Sequence, residues 1–71
     1  MNTKKNLKNN IQKYRKWKNL SQIELANSID FSVTELRLVE KQKHTPREVT
    51  RNKIVNFFGV SYGQMFYKDD E

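Results

Sequence analysis

The chain of 71 residues is long enough for one small domain, and 14 Lys and Arg residues against 8 Asp and Glu give it a net charge of +6. The absence of cysteine excludes disulfides and thiolate metal sites, and no apolar run approaches the ~20 residues that a membrane-spanning helix needs. The first ten residues, MNTKKNLKNN, lack the apolar segment of a signal peptide, so we expect a cytoplasmic protein.

The positive charge is concentrated in the N-terminal third of the chain. Seven basic residues and no acidic residue precede Glu24, whereas three of the eight acidic residues form the C-terminal sequence DDE. Composition alone is equally consistent with a polyanionic partner, most often nucleic acid, and with a merely soluble, lysine-rich surface.

Four start signals for helices follow one another between residues 21 and 64. In SQIE and SVTE, a serine that can accept the third helical N–H is followed by a glutamate that can accept the serine N–H. TPRE repeats the pattern with proline at the first helical position, and SYGQ has glutamine in place of glutamate. With one proline and no strand alternation, these signals predict an all-α fold of short helices joined by tight turns.

The predicted helices form a single domain over residues 1–71, with a folded core at about 6–66. In chain order they cover residues 6–18, 22–29, 33–41, 46–58 and 62–66. Asn19 is placed to end the first helix in a left-handed conformation, and Gly59 ends the fourth. We expect the acidic tail at 67–71 to be loose.

The connection between the second and third helices is the most distinctive part of the sequence. Only Asp30, Phe31 and Ser32 separate them, which is too short for antiparallel packing, so the two helices should cross steeply. Ala26 is small enough for such a close crossing, and Phe31 is placed to fill the turn. A turn of this length between two short helices is typical of the helix-turn-helix geometry.

The sequence from about residue 9 to residue 66 resembles the lambda-repressor-like helix-turn-helix family, which includes phage repressors, Cro proteins and XRE-like transcriptional regulators. The residues that carry the resemblance are LSQ at 20–22, Leu25, Ala26, Ser32, Leu36, Val39, Glu40, Pro46 and FGVS at 58–61. The resemblance implies a compact five-helix bundle whose third helix lies in the major groove of DNA. It also implies a buried ion pair between Arg15 and Glu40.

Three positions depart from the family pattern. The family usually has glycine where this chain has Asn19, Asp30 and Gln42. Asparagine and aspartate tolerate a positive φ better than other residues with a side chain, whereas glutamine does not. We therefore expect the third helix to continue past its predicted end or to end under strain.

The third helix has a defined outward face. Successive residues turn by about 100°, so placing Leu36 and Val39 inward turns the residues between them outward. We predict base contacts, with Arg37 pairing guanine and the others touching thymine methyl groups, from Val33, Thr34, Arg37 and Leu38. The predicted phosphate contacts are the basic first helix and Gln22, Ser32, Lys41 and Lys43. The alternative is that these residues form an ordinary solvent-exposed helix face on which Leu38 is a single exposed leucine.

The C-terminal third contains more aromatic side chains than the end of a small bundle can easily bury. Phe58 and Phe66 fit the core, which leaves Phe57, Tyr62 and Tyr67 as a candidate dimer patch. We expect a weak homodimer there, and whether it forms only on DNA stays open. Trp17 stays undecided between packing on the first helix and lying at the surface.

Several function classes are not expected for this chain. There is no cysteine nucleophile or glycine-rich phosphate loop, and the single histidine, His44, cannot make a metal site alone. We predict no catalysis, no cofactor, no metal and no small-molecule substrate. Two functions remain: a regulator that binds double-stranded DNA, of phage or mobile-element repressor or Cro type, and a protein-binding module such as an anti-repressor.

Overall fold

The computed structural model describes residues 7–68 of the chain. Within this range the order of elements is β1 (Leu7–Asn9), α1 (Ile11–Trp17), α2 (Gln22–Ser28), α3 (Val33–Glu40), α4 (Glu48–Phe58), α5 (Tyr62–Met65) and β2 (Phe66–Lys68). The predicted start of the first helix at residue 6 and the acidic end of the tail at 69–71 lie outside the described residues. The five predicted helices are all present in the described part of the chain, so the helical fold is confirmed.

At two helices, the serine start signals form the complete capping box that the sequence predicts. Ser21 accepts the Glu24 N–H while the Glu24 carboxylate accepts the Ser21 N–H, and Ser61 and Gln64 form the same box at α5. At α3, Ser32 accepts the amide N–H of the third helical residue at 3.2 Å. These local bonds fix where α2, α3 and α5 begin.

The prediction for the start of the fourth helix was wrong. The helix begins at Glu48 after Arg47, two residues later than expected, and it has no side-chain cap. The Thr45 hydroxyl, which was expected to cap it, instead accepts the Leu7 N–H at 3.1 Å. The Thr45 side chain therefore bonds the N-terminal strand rather than the start of α4.

A small antiparallel sheet replaces the first turn of the predicted first helix. Leu7 lies opposite Lys68, and Asn9 lies opposite Phe66. The Asn10 N–H also donates to the Met65 carbonyl, at 2.9 Å, where β1 leads into α1. Strands of three residues are too short to show alternation, which is why the sequence pattern did not reveal them.

The core lies where α1 to α5 and β2 meet. Its buried apolar residues are Ile11, Leu25, Ala26, Ile29, Leu36, Val39, Ile54, Met65 and Phe66. Phe31, in the turn between α2 and α3, is half-buried and packs against this cluster, as does Phe58. The predicted inward faces of α2 and α3 are therefore the buried ones.

Among residues 7–68, three residues with side chains have a positive φ, and they are the three that depart from the family pattern. The values are 60° for Asn19, 54° for Asp30 and 65° for Gln42. Of the two alternatives for the end of the third helix, the structure shows the second: the helix ends at Glu40 and Gln42 takes the left-handed conformation. The Gln42 amide offsets the cost of this backbone by bonding both main-chain groups of Asn9, accepting its N–H at 3.0 Å and donating to its carbonyl at 3.1 Å.

Candidate nucleic-acid interface

The ion pair between Arg15 and Glu40 links α1 to the C-terminal end of α3. Arg15 Nε lies 2.7 Å from Glu40 Oε2, and Arg15 Nη2 lies 3.0 Å from Glu40 Oε1. The two side chains are 9% and 2% exposed. The third guanidinium nitrogen, Nη1, donates to the Leu20 carbonyl at 2.8 Å, so the same side chain also holds the turn between α1 and α2. The bidentate geometry fixes both side chains in orientation as well as in distance.

Gln22, at the first position of α2, extends this pair toward the surface. Its Nε2 donates to Glu40 Oε1 at 3.0 Å, and its Oε1 accepts the Nε–H of Arg37 at 3.2 Å. Arg15, Glu40, Gln22 and Arg37 thus form one chain of hydrogen bonds, here called the polar network. It runs from a buried arginine to an exposed one. The predicted phosphate contact therefore lies directly between the structural pair and a predicted base contact.

Sequence reasoning did not find this connection. Gln22 and Arg37 are 15 residues apart and lie on different helices, so no local pattern relates them. They become neighbours because α2 and α3 pack against each other. The available signal in the sequence was the short turn between α2 and α3, which makes the two helices neighbours in the fold.

The outward face of α3 contains three of the four predicted base contacts. Thr34, Arg37 and Leu38 are exposed, and Leu38 retains 43% of its surface. Val33 differs from the prediction in part, because it is half-buried and packs against the core. The structure thus places a polar hydroxyl, a guanidinium and an apolar side chain on one exposed surface, with Val33 at its margin.

The predicted phosphate contacts lie around this face. Lys41 and Lys43 are exposed in the turn after α3, where the Lys43 N–H donates to the Leu38 carbonyl at 2.9 Å. Ser32 is exposed and caps α3. His44 is an exposed loop residue whose Nε2 lies 3.9 Å from a Glu35 carboxylate oxygen.

The basic residues of α1 do not all lie on the same side of the helix. Arg15 faces α3 through Glu40, and a residue two positions away on a helix lies about 200° around it. Trp17 occupies that opposite side and is 78% exposed, so it lies at the surface. Lys13 lies beside it in the helical projection, with its Nζ 5.7 Å from the centre of the Tyr14 ring. Only some of the basic residues of α1 therefore lie on the side of the helix that faces α3.

The three residues of the candidate dimer patch have different neighbours. Phe57 is half-buried and meets Phe58 edge-on at a ring distance of 5.1 Å. Tyr62 is 41% exposed, and its hydroxyl accepts the Arg51 Nε–H at 2.6 Å. Tyr67 is 43% exposed and lies in β2 rather than in a loose tail. Both tyrosines are therefore exposed enough to contact a partner, whereas Phe57 is less exposed.

Between residues 7 and 68, no group of three or more His, Cys, Asp or Glu side chains is placed to hold a metal ion. In the same range, no helix is long and apolar enough to cross a membrane.

Comparison with known proteins gives two findings. The sequence model of a family described as helix-turn-helix matches residues 11–64. A relative from Methanocaldococcus jannaschii, described as an uncharacterized HTH-type transcriptional regulator, is 38% identical over 66 residues. That alignment covers 92% of this chain and 100% of the relative.

Proposed function

The chain belongs to the helix-turn-helix family, and from this membership we propose that it is a DNA-binding transcriptional regulator that reads double-stranded DNA by sequence. Its role is non-enzymatic, and its mode of action is that of a small repressor or Cro-like protein of a phage or mobile element. The observation that carries the proposal is the exposed face of α3, where Arg37 is held at Nε by Gln22 and its other N–H groups have no partner within residues 7–68.

The proposed readout divides between base edges and phosphates. Arg37 pairs with O6 and N7 of a guanine, while Thr34 and Leu38 contact neighbouring bases, with Val33 at the edge of the site. Lys41 and Lys43 then hold the phosphates that flank the groove. The Gln22 amide has two N–H groups and Glu40 takes one, so the other can donate to a phosphate. Ser32 approaches the backbone at the start of α3.

The test of this function is footprinting of the purified protein on DNA that flanks its own gene. We expect protection of a short site, with half-sites about one helical turn apart if the protein binds as a pair. Protection that spreads evenly over the fragment at every protein concentration would contradict sequence-specific binding.

We also propose a weak homodimer through the patch of Phe57, Tyr62 and Tyr67. One helix reads only a few base pairs, so pairing on two half-sites would raise affinity and selectivity. The test is sedimentation with a two-site duplex for the parent, Tyr62→Ser and Phe57→Ser, with exposed Val49→Ser on α4 as the matched control. Cooperative occupancy should be lost in the patch variants and kept in the control. Independent occupancy of the two half-sites in the parent would contradict the dimer.

A second candidate function is a protein-binding module on the same fold. The observation that favours it is Trp17, which is 78% exposed on the side of α1 away from Glu40. Large exposed aromatic side chains are common in partner interfaces. Salt separates the two candidates, because DNA binding weakens steeply as salt rises and an apolar protein contact does not.

A further inference from the structure

We propose that Gln22 is a positioning residue for DNA readout: its amide transfers the fixed geometry of the buried Arg15–Glu40 pair to the guanidinium of Arg37. This inference rests on the proposed function, since it concerns how Arg37 is presented to a base. It gives Gln22 a role that a phosphate contact alone does not include.

The first argument is the polarity of the amide. A glutamine side chain has one acceptor group and one donor group, a carboxylate accepts only, and a guanidinium donates only. Between Glu40 and Arg37, the amide of Gln22 can therefore form both bonds in a single orientation, with Nε2 toward Glu40 and Oε1 toward Arg37. Turning it over would place donors against donors and acceptors against acceptors.

The second argument is the rigidity of the group to which the amide is attached. The Glu40 side chain is 2% exposed, and both of its oxygens accept from Arg15. Oε1 is shared between Arg15 and Gln22, each at 3.0 Å. The half-buried Gln22 amide is thus attached to a buried, oriented carboxylate rather than to another mobile surface group.

The third argument is what remains available on Arg37. A guanidinium has five N–H groups, and Gln22 takes the one on Nε. The remaining four lie on the two terminal nitrogens, which are the pair that can approach O6 and N7 of guanine end-on. Holding Nε fixes the plane of the guanidinium, so less rotamer freedom is lost when a base binds.

The experiment compares Gln22→Met with the matched control Gln12→Met, which removes an exposed glutamine from α1. Gln22→Met should weaken binding to both duplexes by the loss of its phosphate contact, and the preferred duplex should lose about tenfold more affinity than a scrambled duplex. In an Arg37→Ala background, Gln22→Met should weaken the preferred and scrambled duplexes equally, because only the phosphate contact is left to lose. Equal weakening on both duplexes would overturn the inference, because Gln22 would then act only as a phosphate contact.

A measurement without DNA separates this inference from the proposed function. In the free parent, the Nε–H of Arg37 should give a dispersed, slowly exchanging NMR signal, and in Gln22→Met it should move to the position of a solvated arginine. Gln22→Asn keeps the amide but is one methylene too short, and it should give the same result if Met disturbs the fold. An unchanged Arg37 signal in these variants would overturn the positioning role while leaving DNA binding intact. A parent that prefers no duplex would instead contradict the proposed function, and the NMR result would still decide how Arg37 is held.

Discussion

The polar network and the junction between Asn9 and Gln42 both attach α3 to its surroundings through side-chain amides. In the network, Gln22 bridges a buried carboxylate and an exposed guanidinium, so the chain of bonds ends at donors that face solvent. In the junction, Gln42 bonds the main chain of Asn9, and the Asn9 Nδ2 donates back to the Val39 carbonyl at 2.9 Å. These bonds join Asn9, Gln42 and Val39 to one another, and none of the three residues is exposed.

This difference separates a binding surface from a structural contact. Within residues 7–68, every buried side-chain nitrogen or oxygen has a hydrogen-bond partner. The buried polar groups therefore belong to the fold, whereas an exposed group such as Arg37, at the outer end of the network, has donors left for a ligand. Arg15 and Arg37 show the contrast within one network, because the first is buried and the second is exposed.

The largest effect should come from the buried end of the network. Arg15→Ala leaves the Glu40 carboxylate buried without its counter-charge, which should lower the free energy of unfolding by about 3–5 kcal/mol. In a small domain that is a large share of the total stability. Urea denaturation measures it, with exposed Lys16→Ala as the neighbouring control. A loss for Arg15→Ala no larger than that for the control would show that the pair is not structural.

The junction should respond next, and glycine allows its two contributions to be separated. Gln42→Ala removes the partners of the Asn9 main-chain groups and should cost about 1–3 kcal/mol of unfolding free energy. Gln42→Gly removes the same bonds but relieves the positive φ, so it should be about 1 kcal/mol less destabilising than the alanine variant. If both variants match the parent in denaturation, the amide contributes nothing to stability.

The exposed end of the network should show the opposite behaviour to the buried end. Arg37→Ala should weaken binding to the preferred duplex by about 1–3 kcal/mol and relax the choice of base at one position. Its unfolding free energy should stay near that of the parent, since Arg37 is exposed. Equal weakening on matched and scrambled duplexes would make Arg37 another phosphate contact.

The smallest effect should come from a charge outside both sets of bonds. Lys43→Ala should weaken matched and scrambled duplexes alike and reduce the slope of log affinity against log salt by about one. Titration at several salt concentrations measures the slope, and Lys13→Ala, on the side of α1 away from Glu40, serves as the control. A loss confined to the matched duplex would mean that Lys43 reads a base.

The sequence predicted the parts of the fold that depend on neighbouring residues. The start of α2 follows from a serine and a glutamate three residues apart, and the positive φ at Asn19 and Asp30 follows from the residue types. The pair of Arg15 and Glu40 came from the family resemblance, since two charges 25 residues apart carry no local signal.

The parts that the sequence did not predict depend on distant contacts. The sheet pairs residues 7–9 with residues 66–68, and neither segment is long enough to show a strand pattern. Thr45 was misjudged, and the two alternatives at Gln42 stayed open, for the same reason: each side chain bonds the main chain of β1. The link between Gln22 and Arg37 required the crossing of α2 and α3 in three dimensions.

The measurement that tests the central claim most directly is the affinity of the parent protein for its footprinted site and for a scrambled duplex, over a range of salt concentrations. The account predicts that both affinities fall linearly on a log–log plot, with the footprinted site bound at least about 10³-fold more tightly. Equal affinities for the two duplexes, or affinities that do not change with salt, would contradict sequence-specific reading of DNA by α3.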